Sequence, residues 1–312
     1  MAAQQAAFAA MRFDPSQARD RRGRWTDGFP GSGGEQFRES LGARIGGLRR
    51  SMDSGTESTT EMAQGSMSEV RRLHFADGSD GVSKVVKKGA GGLNAADTVR
   101  SEVLMSSVAA ALGVRAPAVI RIGTKELVAE LVEGEIGTTH LLPEGGFVPG
   151  GPRSDVARED ALIRSPAGIR LALMDALTNQ QDRHGGNWMV DPQGNLVAID
   201  NGLAFAEPRS ANPFESASYN RFVRTHFVDN MGRPGPNPLT RADIDTARER
   251  LESLRPEFVA MKRERWLDTA LERLEALGRH ASGIENVLAG TALQATAAMA
   301  FDPRQKRGPM WR

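Results

Sequence analysis

The sequence predicts an α+β fold with a β-rich first half and a helical second half. Three observations carry that prediction. Residues 70 to 132 hold short strand-like runs on either side of one helix. Residues 165 to 199 hold an apolar helix followed by a tight hairpin. Residues 240 to 277 have helical patterning, interrupted at Pro256.

The elements come in this order. Residues 1 to 68 read as a flexible N-terminal segment. GFPGSGG at Gly28 to Gly34 and the Ser/Thr/Gly/Met/Glu stretch at Ser51 to Ser68 have few branched apolar residues to offset ordering entropy. A short helix around Glu35 to Arg50 is the one element that composition allows there. Arg19, Arg21, Arg22 and Arg24 beside Trp25 fit an acidic partner and a solvated basic turn equally.

From Val70 the pattern changes. Arg71 to Ala76 alternates, DGSDG at Asp77 to Gly81 signals a turn, and Val82 to Lys88 reads as the returning strand. Ala95 to Leu112 is a helix, with Val99, Val103, Leu104, Val108 and Leu112 at helical spacing. Asn94 is its N-cap and Gly113 its stop. Two short strands come next, at Ala118 to Ile122 and Glu126 to Val132, and Glu133-Gly134 ends the second.

His140 to Asp155 is rich in Gly and Pro and reads as a loop. Ser165-Pro166 opens the next helix with an N-cap and a first-turn Pro. Its wide apolar face, Ile169, Leu171, Leu173, Met174 and Leu177, marks it as buried. Strands at Trp188 to Val190 and Leu196 to Ile199 flank Asp191-Pro192-Gln193-Gly194, which has tight-turn chemistry. Thr240 with Asp243 forms a capping box, and Pro256 divides the helical stretch from Thr240 to Leu277 into two helices. The Arg/Glu-rich helical face from Arg241 to Arg273 reads as solvated. Residues 286 to 312 read as a flexible tail.

Composition excludes several functions. The chain has 312 residues, which suggests about two domains. Its 40 Lys and Arg against 39 Asp and Glu leave a net charge of +1, so nucleic acid is not an expected partner. Cysteine is absent, which removes disulfides, Cys-ligated zinc and thiol catalysis. The N-terminus has no basic region before its alanines, so no secretory signal is expected. Val287 to Phe301 is too short and too weakly apolar for a membrane span. A cytoplasmic protein is the expectation. HExxH, GxSxG and Walker patterns are all missing.

The chemistry concentrates between Asp182 and Asp200, DRHGGNWMVDPQGNLVAID, with Asn201-Gly202 after it. A hairpin brings its ends together, so Asn187 and Asp200 become neighbours. Asp182 hangs on the loop leading in. Taken singly, these are ordinary turn residues. As a set they offer hard oxygen ligands suited to Mg²⁺, with one carboxylate left to orient or deprotonate a hydroxyl.

The D-x-x-x-x-N loop, hairpin and I-D-x-G ending resemble the catalytic core of the protein-kinase-like superfamily. DRH at Asp182 to His184 is closer to phosphatidylinositol 3-/4-kinase-like enzymes than to the HRD of ordinary protein kinases. Ile199 to Phe205 is similar to the IDxGLAF ending of small bacterial and phage-associated kinase-like proteins. The resemblance covers residues 70 to 280 and implies a two-lobe fold. The β-rich N-lobe would span residues 69–133 and the helical C-lobe 134–285.

The resemblance also implies roles and cofactors, ATP and Mg²⁺. A strand Lys should contact nucleotide phosphates and pair with a Glu on the next helix. Lys84 and Glu102 are the preferred residues, with Lys87, Lys88 and Asp97 as competitors. Alternation puts Lys84 and Lys88 on one strand face and Lys87 on the other. Glu130 to Glu133, including Val132, falls where the inter-lobe hinge would meet adenine. Asp182 becomes the catalytic Asp, Asn187 and Asp200 metal ligands, and His184 an aid to acceptor activation. Its implied activity is transfer of the ATP γ-phosphate to a hydroxyl of a lipid, protein or small molecule. Asn201 departs from the Phe common after the metal-binding Asp, and DGSDG is not a G-x-G-x-x-G loop.

A second resemblance involves the termini. Phe13 to Asp27, FDPSQARDRRGRWTD, looks like short segments of phage and prophage head proteins, and Phe301-Asp302-Pro303 repeats the FDP. It implies a phage structural partner, and with it an inactive or structural alternative. Transfer of AMP on the same fold is a third reading.

Overall fold

The computed structural model describes residues 33–64, 67–137, 156–206, 212–228, 234 and 237–281. The phage-like segments, the Arg19 to Arg24 cluster, the loop at 140–155 and the tail over 286–312 lie outside the described residues.

The first half is built from α1 (Gly33–Ser54), β1 (Thr56–Gln64), β2 (Ser68–Phe75), β3 (Asp80–Val86), α2 (Ala95–Leu112), β4 (Val119–Arg121) and β5 (Glu126–Glu130). Its strands form one antiparallel sheet in the order β1-β2-β3-β5-β4. The hairpin β2–β3 turns at Asp77 to Ser79, where Asp77 Oδ1 accepts the Ser79 N–H at 2.9 Å. Helix α2 starts at Asn94, whose side chain accepts from Asp97 N, and stops at Gly113 in a left-handed conformation (φ 70°).

Alternation along β5 gives the sheet two covered faces. Leu127 packs with Val86, Val119 and the α2 residues Ala95 and Val99. The neighbouring Val128 packs with Leu73, Phe75 and, from α1, Leu48. Each face therefore has its own helix.

That arrangement revises the expected flexible segment over residues 1–68 within 33–64 alone, where α1 takes up the short helix expected around Glu35 to Arg50. Residues 33–64 are ordered as α1 and β1. Leu41, Ile45, Leu48 and Met52 recur at helical spacing, and this narrow stripe is what α1 buries. Strand β1 is exposed over residues 56–62 and is held by backbone pairing to β2, so those side chains carry no alternation signal.

The second half contains β6 (Glu135–Ile136), α3 (Val156–Arg164), α4 (Pro166–Thr178), β7 (Trp188–Val190), β8 (Leu196–Ala198), a 3₁₀ turn (Glu215–Ser218), α5 (Arg221–Phe227), α6 (Arg241–Glu252), α7 (Arg255–Ala260) and α8 (Glu264–Ala281). A small sheet runs β6-β7-β8. Helix α4 lies at the centre, with Leu171, Leu173, Met174 and Leu177 fully enclosed. Leu104, Met105 and Val108 of α2 join the same core. One helix thus packs into both halves.

The expected pair of helices after Thr240 is three. Pro256 sits in the first turn of α7, where its missing N–H is harmless. The breaks fall at Ser253-Leu254 and at residues 261–263, where Lys262 takes a positive φ of 56°. Helices α3 and α5 and strand β6 were not expected from the sequence. Among the described residues, no helix is long and apolar enough to cross a membrane.

Candidate active site

Strand β3, helix α2 and the segment after β8 meet at one point. Lys84 Nζ lies 2.7 Å from Glu102 Oε1 and 2.6 Å from Asp200 Oδ1. Lys84 opposes Leu127 in register, on the sheet face that α2 covers. Its aliphatic stem is buried there, and only 14% of the side chain is exposed. Lys87 instead lies 3.8 Å from Glu69, and Lys88 is exposed. Asp97 pairs with Arg100 and Arg263. The geometry therefore brings Lys84 and Glu102 together and leaves their competitors elsewhere.

Burial disfavours the Lys84 ammonium, but the Glu102 and Asp200 carboxylates outweigh it and raise the Lys84 pKa. Burial pushes Glu102 up, against the pull of Lys84. Burial also pushes Asp200 up, yet Lys84 prevails and holds this carboxyl below its ordinary value. The second Glu102 oxygen accepts the Asn201 N–H at 3.0 Å. Ser101 Oγ lies 3.0 Å from the Asn201 carbonyl and 2.8 Å from that of Ala204. Helix α2 is thereby tied to the Asp200 segment through both backbone and side chain.

Asp200 itself has a left-handed backbone (φ 51°), a conformation Asp tolerates better than most residues. Gly202 leaves room that no other residue would. A Cβ there would meet Thr98 Cγ2 at 2.8 Å and Glu102 Oε1 at 3.2 Å.

The loop from Gln180 to Asn187 is fixed by Arg183. Its guanidinium donates to both Asp175 oxygens at 3.0 and 2.9 Å, to Asn201 Oδ1 at 2.7 Å and to the Ile199 carbonyl at 2.8 Å. It also donates to the Asn187 carbonyl. Both charged side chains are fully buried, which is tolerable only because they are paired and hydrogen-bonded. Asn220 Nδ2 supports Asp175 from α5 at 2.8 Å. Sequence reasoning assigned Arg183, Asp175 and Asn201 no role. The available signal was an Asp in the otherwise apolar run LALMDALT.

Asn187 Nδ2 donates to the Asp182 carbonyl and lies 3.2 Å from Asp182 Oδ2. That commits its amide nitrogen and leaves its oxygen as the group for a cation. Asn187 and Asp200 flank the hairpin, with the Ile199 N–H donating to the Asn187 carbonyl at 3.2 Å. Asp182 is half-exposed, and its carboxylate lies 3.7 Å from His184 Nε2. The Gly186 N–H donates to His184 Nδ1, so the ring proton of a neutral imidazole sits on Nε2, facing Asp182.

The residues expected at the hinge differ from one another. Glu130 turns its carboxylate to Arg44 of α1 at 2.7 Å and to the Ala118 N–H at 3.0 Å. Val132 lies in the connection from β5 to β6, outside either sheet.

Among the described residues there is no cluster of three or more His, Cys, Asp or Glu fit for a metal. The pair Asn187 and Asp200 suits Mg²⁺, which keeps waters and takes substrate phosphate oxygens beside one or two protein ligands.

The arrangement joins a strand Lys of the first half, held by a helix Glu, to the Asp200 segment of the second half, which follows the Asp182–Asn187 loop. Residues 162–251 match the family model described as Phosphatidylinositol 3- and 4-kinase. This segment runs from the end of α3 into α6 and holds Asp182, Asn187 and Asp200. Two solved structures are similar at 15% identity. One is the Rio2 kinase-ADP/Mg²⁺-phosphoaspartate complex from Chaetomium thermophilum, with a TM-score of 0.38 over 88% of this chain and 84% of that one. The other is the apoenzyme of macrolide 2'-phosphotransferase MphH from Brachybacterium faecium, with a TM-score of 0.32 over 86% of this chain and 100% of that one. No curated protein matches.

Proposed function

We propose that this chain is a Mg·ATP-dependent phosphotransferase acting on a hydroxyl acceptor. The observation that supports it best is the contact of Lys84 with both Glu102 and Asp200, beside the Asp182–Asn187 loop. In this reading Lys84 holds nucleotide phosphates and Glu102 fixes its ammonium. Asn187 and Asp200 would hold Mg²⁺, whose charge would offset that of the phosphates. Backbone groups around Val132 meet adenine, while Glu130 acts as a brace to α1.

Asp182 orients the acceptor hydroxyl and takes its proton. The acceptor oxygen bonds to the γ-phosphorus as the bond to the β-phosphate oxygen breaks, leaving ADP. His184 steadies the Asp182 carboxylate through its Nε2 proton. Positioning and charge neutralisation supply most of the rate. The N-lobe at residues 69–133, extended by α1 and β1, and the C-lobe at 134–285 form one catalytic module. The family match of residues 162–251 favours a phosphatidylinositol-kinase-like acceptor, with protein and small-molecule hydroxyls as the other arms of the test.

The experiment is calorimetric titration of Mg·ATP, and then turnover with each acceptor class. Asp200→Ala should abolish turnover. Failure of the native chain to bind Mg·ATP at millimolar nucleotide would overturn the proposal and favour a structural role. Mass spectrometry of the product distinguishes phosphate from AMP transfer.

A further inference from the structure

Asp97, which the geometry excludes from the Glu102 role, has partners of its own. Its carboxylate accepts from Arg100 at 2.7 Å and from Arg263, at the break between α7 and α8. The second contact spans 166 residues of sequence and ties the first turn of α2 to the C-terminal helices. The Arg263 guanidinium also lies over the Trp266 ring, 5.2 Å from its centroid. Trp266 stacks on Phe205, with centroids 5.0 Å apart and planes 9° from parallel. Phe258 meets the same Phe205 ring edge-on at 5.8 Å. A continuous chain of side chains, Asp97–Arg263–Trp266–Phe205, therefore runs from α2 to the segment that carries Asp200.

Backbone strain marks two places along that chain. Phe205 has a φ of 59° and Lys262 one of 56°. Bulky residues rarely adopt this conformation, and it persists where the surroundings hold it. The Phe205 N–H donates to the Thr178 carbonyl at 2.5 Å, and Trp266 and Phe258 hold the ring. The Lys262 turn is closed by the Arg263 N–H on the Phe258 carbonyl at 2.8 Å. Gly91, ahead of α2, sits against the same segment, where an added Cβ would meet Ala206 at 3.0 Å.

The tie bears on Glu102, which lies about 7.5 Å along α2 from Asp97 at 1.5 Å per residue. Glu102 must reach Lys84 on β3 and the Asn201 N–H beyond β8 at once. Leu104, Met105 and Val108 anchor the later part of α2 in the large core, while Ala95 and Val99 pack with the sheet. Arg263 thus fastens to the second half the end of α2 that otherwise follows the sheet. We propose that Arg263 and Trp266 are positioning residues, holding the first turn of α2 and the Phe205 segment where Glu102 serves Lys84 and Asn201 together. Their bearing on catalysis rests on the phosphotransfer reading of that site, so the test includes a measurement that needs no turnover.

That measurement is acetylation of the full chain with N-hydroxysuccinimidyl acetate, with each lysine's rate read by mass spectrometry. Lys84, buried and paired, should react more slowly than the exposed Lys87 and Lys88, which serve as internal references. Arg263→Met and Trp266→Leu should each raise the Lys84 rate several-fold against those references. Arg263→Lys and Trp266→Phe, which keep the charge and the ring, should stay near the native rate. Asp97→Asn weakens the tie from the other end and decides the matter if the first two variants fail to fold. An unchanged Lys84 rate in the folded variants overturns the proposal. A rise shared equally by Lys84, Lys87 and Lys88 also overturns it, because that reports general loosening. With Mg·ATP, ADP release by Arg263→Met should fall by up to about 10²-fold, as for a small misplacement of reacting groups. Native turnover beside a raised Lys84 rate overturns the positioning role. A native chain that releases no ADP overturns the phosphotransfer reading instead, and the acetylation rates then decide alone whether the tie holds Lys84.

Discussion

Lys84 is one cation shared by two carboxylates, and its removal has two effects. Replacing it with Met leaves Glu102 and Asp200 facing each other without a counter-charge. Under the proposed function, Lys84→Met should lower phosphoryl transfer by on the order of 10²–10³, the usual effect of deleting one charge-stabilising donor. Lys84→Arg should not restore it, because a planar fork cannot replace a compact ammonium between two carboxylates. Steady-state turnover checks both. In a double-mutant cycle, Lys84→Met and Glu102→Gln should be strongly non-additive; additive losses would show that the pair does not act as a unit.

At the scale of elements, α2 and the segment after β8 are held at a spacing set by Gly202. Gly202→Ala puts a methyl against Thr98 and Glu102. It should push α2 away, move Glu102 and lower turnover while the chain stays folded. Removing Thr98 Cγ2 relieves the nearer contact, so Thr98→Ser should restore part of the activity in the double variant. Failure of that rescue, with both proteins folded by circular dichroism, would place the fault elsewhere.

For the whole molecule, α1 closes one face of the N-terminal sheet. Leu48 is buried against Leu73, Phe75 and Val128. Leu48→Ala should cost about 2–5 kcal/mol, the range for deleting a buried Leu side chain. Hydrogen exchange should accelerate in β2, β3 and β5 before α4, because α4 lies in a different core. A change within ~0.5 kcal/mol would mean that α1 is dispensable.

Much of the site was legible because its parts lie close in sequence. Asp182, Asn187 and Asp200 are joined by a short hairpin whose turn residues announce themselves, and α2 and α4 carry their own caps and apolar faces. Local chemistry fixes such elements; a strand Lys was implied only by the family resemblance, and the apolar run merely favoured Lys84 over Lys87 and Lys88. Other features depend on contacts between distant parts of the chain. Helix α1 is ordered by the sheet face it covers, and β1 by backbone bonds to β2, which leave no trace in side-chain type. Arg183 looks like a loop cation until folding encloses it with Asp175, Ile199 and Asn201. The sequence alone determined the Asp182–Asn187 loop with its hairpin, the central helices and the α+β order. Only the tertiary structure decided that Lys84 meets Glu102 and Asp200 at one point, and that α2 belongs to both lobes. Such long-range pairings are set by how packed faces meet, and residue type and local spacing do not encode that directly.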